Sequence, residues 1–328
     1  MKKHFVLGLS ALFVLFTLAS STWAAAARTK IIVVVPHRIL FTVALPVYIA
    51  QEKGFYRENN LDVDAVFTRG GGENVQAVVS GDAQIGLGTG TLSVISAFVK
   101  KAPIKIAAAE ITGMDAFWYV QANTAIRKLE DLAGKKVAFS RPGASSHMAV
   151  LAIADQIKAK GLKPAEPVSL GGIPEVYTAL RVGQTDAGWS VAPFQLDLVE
   201  KGELRVVVKG DEIAAMRDIT PRVHFVNTEF AAKNPDVVRG FFRAKQKALD
   251  YMFERKEDAA KIWIRRAEMK YPEAAVLKTW DYYSRAAMTL KPIRGLQSII
   301  DDGIRNKSLN APLTQAEINA LVDLSYLP

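Results

Sequence analysis

The sequence predicts an α/β protein of two similar lobes with mostly parallel sheets, joined by a hinge across a central cleft, with a helical C-terminal tail packed on the first lobe. Three observations carry that prediction. Segments suited to strands alternate with helical segments through the first two thirds of the 328 residues, the order that right-handed crossovers impose on a parallel sheet covered on both faces. Two stretches read as copies of one another. Gly71-Gly72 lead through Val75, Ala77 and Gly81 to Gln84-Ile85-Gly86-Leu87, and Gly171-Gly172 lead through Val176, Ala179 and Gly183 to Asp186-Ala187-Gly188-Trp189, at a constant offset of 102 from Ala77 onward. Beyond Asn234 the pattern is almost entirely helical. Two such copies facing each other make a ligand cleft.

Residues 31–35 are a continuous β-branched run, suited to a strand buried on both faces. After a loop over 36–45, residues 47–57 have helical spacing that closes near Gly54. Residues 61–67 alternate, with Leu61, Val63 and Ala65 apolar and Asp62 and Asp64 polar, which predicts a second strand. Helices at 73–80 and 92–100 then alternate with strands at 84–87 and 104–111. The unit restarts at 129–134, with a strand at 136–139, a loop over 140–146, a helix over 147–160, a strand near 168–170, a helix around 176–182 and a strand at 187–190. Residues 222–226 read as a strand returning to the first lobe. Asn234-Pro235 suits a helix start, with Asn at the N-cap and Pro at the first helical position. Helices are expected over 236–253, 256–268, 273–288 and 315–324, the last opened by the capping box from Thr314 to Glu317. The domain reading is a leader at 1–27, the first lobe at 28–121, the second at 122–222, and the first lobe again at 223–328. The chain then crosses between lobes near 115–121 and 221–227, and double crossings permit hinge closure.

Half of the residues are hydrophobic and 23% are charged, a globular composition that excludes disordered and fibrous classes. Met1-Lys2-Lys3-His4, an apolar stretch over 5–19 and small residues over 20–27, Trp23 apart, read as a cleavable secretory signal. The apolar stretch is short of the about 20 residues that a membrane span needs. Cleavage is expected after Ala24 or Ala26. The chain has no cysteine, which excludes disulfides, thiolate catalysis, thiolate metal sites and a lipid-anchored N-terminus. Export without lipid attachment points to the periplasm of a Gram-negative bacterium. Loss of Lys2 and Lys3 leaves 40 basic against 33 acidic residues and takes the net charge from +9 to +7. That excess favours acidic partners. The basic residues are scattered, however, as where Arg243, Lys245 and Lys247 share a helix with Asp250 and Glu254, so no nucleic-acid partner is expected.

In open parallel sheets, ligands sit outside the carboxyl ends of strands, where helix N-termini present free amides and positive dipole ends. The repeat converts this rule into four loops: 36–42 and 140–146 after the first strand of each copy, 88–91 and 190–194 after the third. In the first lobe they supply His37, Arg38, Phe41, Thr42, Thr89, Gly90 and Thr91; in the second, Ser140, Gly143, Ser145, Ser146, Ser190 and Phe194, with His147 and Trp189 beside them. Gly143 lets backbone approach a ligand, and Ser145 and Ser146 either cap the following helix or donate hydroxyls to an anion. Arg38 and Arg141 are candidate counter-charges, or rim arginines facing solvent. Phe41, Trp189 and Phe194 would pack the body of the ligand, and Trp118 and Tyr119 fall at a crossing. Catalytic signals are weak. Asp82, Asp186 and Glu110 are lone acids at strand edges, and there is no Gly-x-Ser-x-Gly elbow. His37, His147 and His224 lack the spacing and carboxylate set of a metal site, so neither metal nor cofactor is expected.

Residues 46–63, Pro46-Val47-Tyr48-Ile49-Ala50-Gln51-Glu52-Lys53-Gly54-Phe55-Tyr56-Arg57-Glu58-Asn59-Asn60-Leu61-Asp62-Val63, resemble a signature of ABC-transporter periplasmic solute-binding proteins of the nitrate, sulfonate and taurine type, a family that also includes thiamine-precursor synthases. Ser80-Gly81-Asp82-Ala83-Gln84-Ile85-Gly86 is similar to its Ser-Gly-Asp-Ala-Asp-Ile-Gly, with Gln84 in place of Asp. Asp131-Leu132-Ala133-Gly134-Lys135-Lys136-Val137 and Lys233-Asn234-Pro235-Asp236-Val237-Val238 match two further motifs in the same order, so the resemblance covers essentially all of the chain beyond the leader. It implies a type II periplasmic binding fold and delivery of a small solute to an ABC permease in the inner membrane, without catalysis. The paired helix N-termini and the charge of +7 point to a small, anionic organic solute, and a monomer is expected. The synthase branch of the family works with a cysteine-rich motif and pyridoxal phosphate, and this chain lacks that motif. An enzyme of related fold acting on a small carboxylate or pyrimidine precursor, and a sensor feeding a signalling protein, are the alternatives.

Overall fold

The structure, a computed structural model, describes residues 27–328, so the predicted leader, its last residue apart, lies outside the described residues. The first part of the chain runs β1 (Thr29–Val35), α1 (Ala44–Glu52), β2 (Leu61–Phe67), α2 (Gly71–Ser80), β3 (Ile85–Gly90), α3 (Thr91–Val99) and β4 (Ile104–Ile111). Next come β5 (Phe117–Gln121), β6 (Lys136–Phe139), α4 (Ser145–Lys158), β7 (Glu166–Ser169), α5 (Ile173–Arg181), β8 (Gly188–Ser190), α6 (Leu196–Glu200) and β9 (Leu204–Lys209). The chain ends with β10 (Arg222–Asn227), α7 (Thr228–Lys233), α8 (Pro235–Glu254), α9 (Lys256–Ala267), α10 (Glu273–Leu277), α11 (Leu296–Arg305) and α12 (Gln315–Leu321).

The first sheet has the order β2-β1-β3-β10-β4, with β1 parallel to β2 and β3, and β10 antiparallel to β3 and β4. In the second half β6 and β7 are parallel, and β5 lies antiparallel between β8 and β9. A single bridge between Val137 and Ala187 joins β6 to the start of β8. The resulting order, β7-β6-β8-β5-β9, repeats that of the first sheet, with β6 and β8 in the places of β1 and β3. Both sheets are mixed because β5 and β10 each arrive from the opposite lobe and enter antiparallel. The boundary read from sequence at 121/122 left residues 117–121 with the first lobe. Their pairing with β8 and β9 puts them in the second sheet.

The crossing strands also explain why the repeat carries glycine. Gly86 lies opposite Phe225 of β10, and a Cβ there would stand 2.2 Å from the Phe225 ring. Gly188 lies opposite Tyr119 of β5, and a Cβ there would stand 2.8 Å from Cζ of Tyr119. In each copy the third strand gives up its side chain so that an aromatic ring of the incoming strand can cover it. Each of the two buried apolar clusters contains residues of both lobes.

In the tail, Thr314 accepts the Glu317 amide as the capping box requires. Asn234 is the N-cap of α8, but its side chain donates back to the Phe230 carbonyl instead of capping. The helix predicted over 273–288 is corrected: α10 ends at Leu277 and a 3-10 turn carries the chain through Lys278–Tyr282. That turn delivers Trp280 and Tyr283 to the ring of Phe41, at centroid distances of 4.8 and 4.5 Å, and this burial outweighs helix continuation.

Candidate functional site

The carboxyl ends of β1, β3, β6 and β8 point at the junction of the lobes, and there the two halves touch. A Cβ on Gly90 would lie 3.1 Å from the Gly143 carbonyl and 3.3 Å from the Ser145 nitrogen. A Cβ on Gly143, whose φ is +79°, would lie 3.2 Å from Ser93 Oγ. The His37 ring meets Phe194 edge-on at 5.2 Å, and Tyr283 donates to the Ala192 carbonyl at 3.5 Å. Lys278 and Glu200 form an ion pair across the seam at 2.5 Å.

Of the residues named from sequence, His37, Gly90, Gly143, Ser145 and Phe194 meet in this seam. The loop before α4 is stapled from within, since Ser146 Oγ accepts the Ser140 amide at 3.1 Å and lies 2.8 Å from Ser140 Oγ. His147 accepts the Gly143 amide through Nδ1 at 3.3 Å and packs on Phe139. Thr89 is buried, and Asn74 donates to its hydroxyl at 3.4 Å. Trp189 is half-buried, and its indole nitrogen has no partner among the described residues. Others are committed elsewhere. Arg38 pairs with Glu268 at 2.9 Å, Thr42 donates to Glu110 at 2.5 Å, Thr91 donates to the Thr220 carbonyl at 2.6 Å, and Ser190 donates to Gln195 at 2.6 Å. Phe41 is 1% exposed, inside the first lobe with Tyr283, Trp280 and Trp263, and so is not a wall of the seam.

Sequence reasoning missed a buried ionic network under the seam. Arg222, the first residue of β10, binds Glu110 of β4 at 3.0 Å and Asp115 at 2.7 Å. Burial alone would lower the guanidinium, but the two carboxylates hold it above its ordinary value. Lys245 of α8 is buried without a hydrogen-bond partner among the described residues, and burial pushes its amine down to about 8 against the pull of Glu110. His224 accepts the Gly88 amide at 3.2 Å, and burial, Lys245 and Arg222 hold it well below the ordinary histidine value. The visible signal was Glu110, an acid that follows four apolar residues near the end of β4; its partner stands 112 residues away. Asp82 and Asp186, the other lone acids, tie turns together through Ser80 and the Lys136 amide.

Arg222 also fastens the hinge. The link from β4 to β5 and the link from β9 to β10 are joined by Gly113 donating to Ile219 at 2.9 Å and Gly210 donating to Ala116 at 2.8 Å. Beside these links lie two adjoining cavities of about 460 and 380 Å³, which share Met114, Asp115, Asp211, Asp281 and Tyr282. No residue of the four predicted loops lines either one. Among the described residues there is no group of three or more metal-ligating side chains, and no helix is long and apolar enough to cross a membrane.

The family model described as NMT1/THI5 like matches residues 42–259. A taurine-binding periplasmic protein of Escherichia coli (strain K12) is 30% identical over 207 residues, a match that spans 62% of this chain and 62% of that protein's length. A 4-amino-5-hydroxymethyl-2-methylpyrimidine phosphate synthase of Saccharomyces cerevisiae is 23% identical over 250 residues, 69% of this chain and 67% of the synthase. The solved structure of the periplasmic aliphatic sulphonate-binding protein SsuA from Escherichia coli superposes with a TM-score of 0.70 at 20% identity, covering 92% of this chain and 91% of that one. The superposition assigns the fold, that of the periplasmic binding proteins.

Proposed function

This chain belongs to the NMT1/THI5-like family, and we propose that it is a periplasmic receptor that captures a small anionic organic solute between its lobes and hands it to an ABC permease. Sulfonates, carboxylates and nitrate-like ions are the proposed solute class. The observation that carries the reading is the approach of Gly90 to the start of α4, which brings the positive end of that helix against the other lobe in a seam lined by small residues. Arg141, exposed beside the start of α2, is the proposed counter-charge, since Arg38 is engaged by Glu268. The net charge of the chain and the name of the taurine-binding relative support the anionic class. Contacts made to both lobes at once would supply the energy of closure.

The synthase relative suggests an enzyme instead. The absence of cysteine argues against it, because the synthase branch of this family works with a cysteine-rich motif. A thermal-shift panel of taurine, alkanesulfonates, carboxylates, nitrate and pyrimidines on the purified chain separates the readings. One anionic class should raise the melting temperature in proportion to the logarithm of its concentration. Stabilisation by pyrimidines alone, or chemical turnover of any member, would sink the receptor reading. N-terminal sequencing of the exported protein tests the periplasmic assignment, with Ala25 or Ala27 expected as the first residue.

A further inference from the structure

We propose that His37, His147 and His224 are positioning residues, the first two each holding one loop of the interlobe seam by a backbone amide and the third holding the strand beneath it, and that acidification releases those loops and weakens solute capture. The inference rests on the reading of these loops as the solute site. Leader residue His4 aside, these are all the histidines of the chain. Each is engaged in the same way. Nδ1 of His37 accepts the N–H of Ile39 at 3.2 Å, Nδ1 of His147 accepts that of Gly143 at 3.3 Å, and Nδ1 of His224 accepts that of Gly88 at 3.2 Å. The local settings are unrelated, since the sequence separations are 2, 4 and 136 residues. Two of the amides belong to the loop after β1 and the loop before α4, and the third lies within β3, two residues short of the end that meets the seam.

An imidazole accepts at Nδ1 only while its proton sits on Nε2, and an imidazolium donates from both nitrogens. Protonation therefore sets a donor against the amide donor and pushes the loop away. The surroundings decide when this happens. His37 is lowered by burial and by Arg38 of its own loop, and Glu175 of α5 is the carboxylate that opposes them. His147 is lowered by burial alone, against the ring of Phe139. His224 packs on Phe242, with Lys245 of α8 and Arg222 of its own strand adding to the effect of burial, while Glu110 of β4 attracts Lys245. His37 and His147 are the less enclosed and titrate first; His224 resists longest.

The sign follows from linkage. A histidine whose value is depressed in the folded state leaves the unfolded chain binding more protons below about 6.5, so its contribution is complete above that pH and is lost as pH falls. Each such group changes the equilibrium by up to about tenfold per pH unit in that window.

Imidazole 15N NMR of the full chain without solute, across the acid range, tests the device. The expected result is the Nε2–H tautomer for all three rings, midpoints below the ordinary value, and Ile39 and Gly143 amide signals that move with the same midpoints. In His37→Asn and His147→Asn the amide oxygen can stand in for Nδ1 without titrating, so those amide signals should become flat with pH. With leucine at the same positions the two amides should exchange about tenfold faster at every pH, the loss of one such bond. An Nδ1–H tautomer, or amides indifferent to the imidazole titration, overturns the proposal. Binding of taurine, methanesulfonate and nitrate is then followed over the same range. A probe that binds at neutral pH should lose at least about tenfold in affinity by one to two units below the histidine midpoint, and the double asparagine variant should flatten that loss. Equal affinity at both pH values overturns the coupling. Expected NMR behaviour with no probe bound at any pH supports the loop device and counts against the solute reading instead.

Discussion

The two lobes share a strand order and differ in what the crossing strand brings. In the first lobe β10 inserts Arg222 and His224, which bind Glu110, Asp115 and the Gly88 amide below the seam. In the second lobe β5 inserts Phe117, Trp118 and Tyr119, all of them 1% exposed or less, and the Tyr119 hydroxyl has no partner among the described residues. One half therefore rests its seam on a charge network that must stay complete, and the other on aromatic packing. Breaking one charge leaves others buried and uncompensated, whereas trimming a ring edge loses contact area alone.

That difference can be tested in descending order of effect. Arg222→Met should cost about 3–5 kcal/mol in urea unfolding, because Glu110 and Asp115 would stay buried without their partner. A loss under about 1 kcal/mol would mean that the network is not closed to water. Gly86→Ala should cost about 3 kcal/mol and Gly188→Ala about 1–2 kcal/mol, since the clash with Phe225 is the tighter of the two. Equal losses would erase the distinction between the crossings. Ser146→Ala removes the acceptor of the Ser140 amide and should cost about 1 kcal/mol while weakening solute binding. Retained affinity would remove the loop before α4 from the site. Tyr119→Phe deletes an unpaired buried hydroxyl and should leave stability within about 0.5 kcal/mol of the parent, measured by the same unfolding curves.

Much of this contrast was hidden in the sequence for a physical reason. Residues 117–121 read as a crossing and not as a strand, because a five-residue run that opens with three aromatics carries no mark of the sheet it will join. Residues 273–288 have helical periodicity, yet the rings of Trp280 and Tyr283 gain more against Phe41 than a longer helix would. Phe41 itself was a reasonable cleft residue by position in its loop, and its neighbours come from segments more than two hundred residues later. The serines at the start of α4 illustrate the opposite case. Their place at a helix start was legible from a strand, a glycine and two hydroxyls, and only the Ser140–Ser146 staple needed coordinates.

By itself, the sequence determined what local pattern can carry: alternating strands and helices, a repeat at offset 102, helix starts such as Thr314 to Glu317, and the loops that end strands. These follow from side-chain periodicity and backbone propensity, which act over a few residues. Tertiary structure decided which sheet received β5 and β10, why Gly86 and Gly188 recur, and that Arg222 and Glu110 neutralise one another in the interior. It also set which nitrogen of each histidine accepts a backbone amide. These depend on contacts between distant segments, whose energies appear only once the chain has paid the entropy of bringing them together.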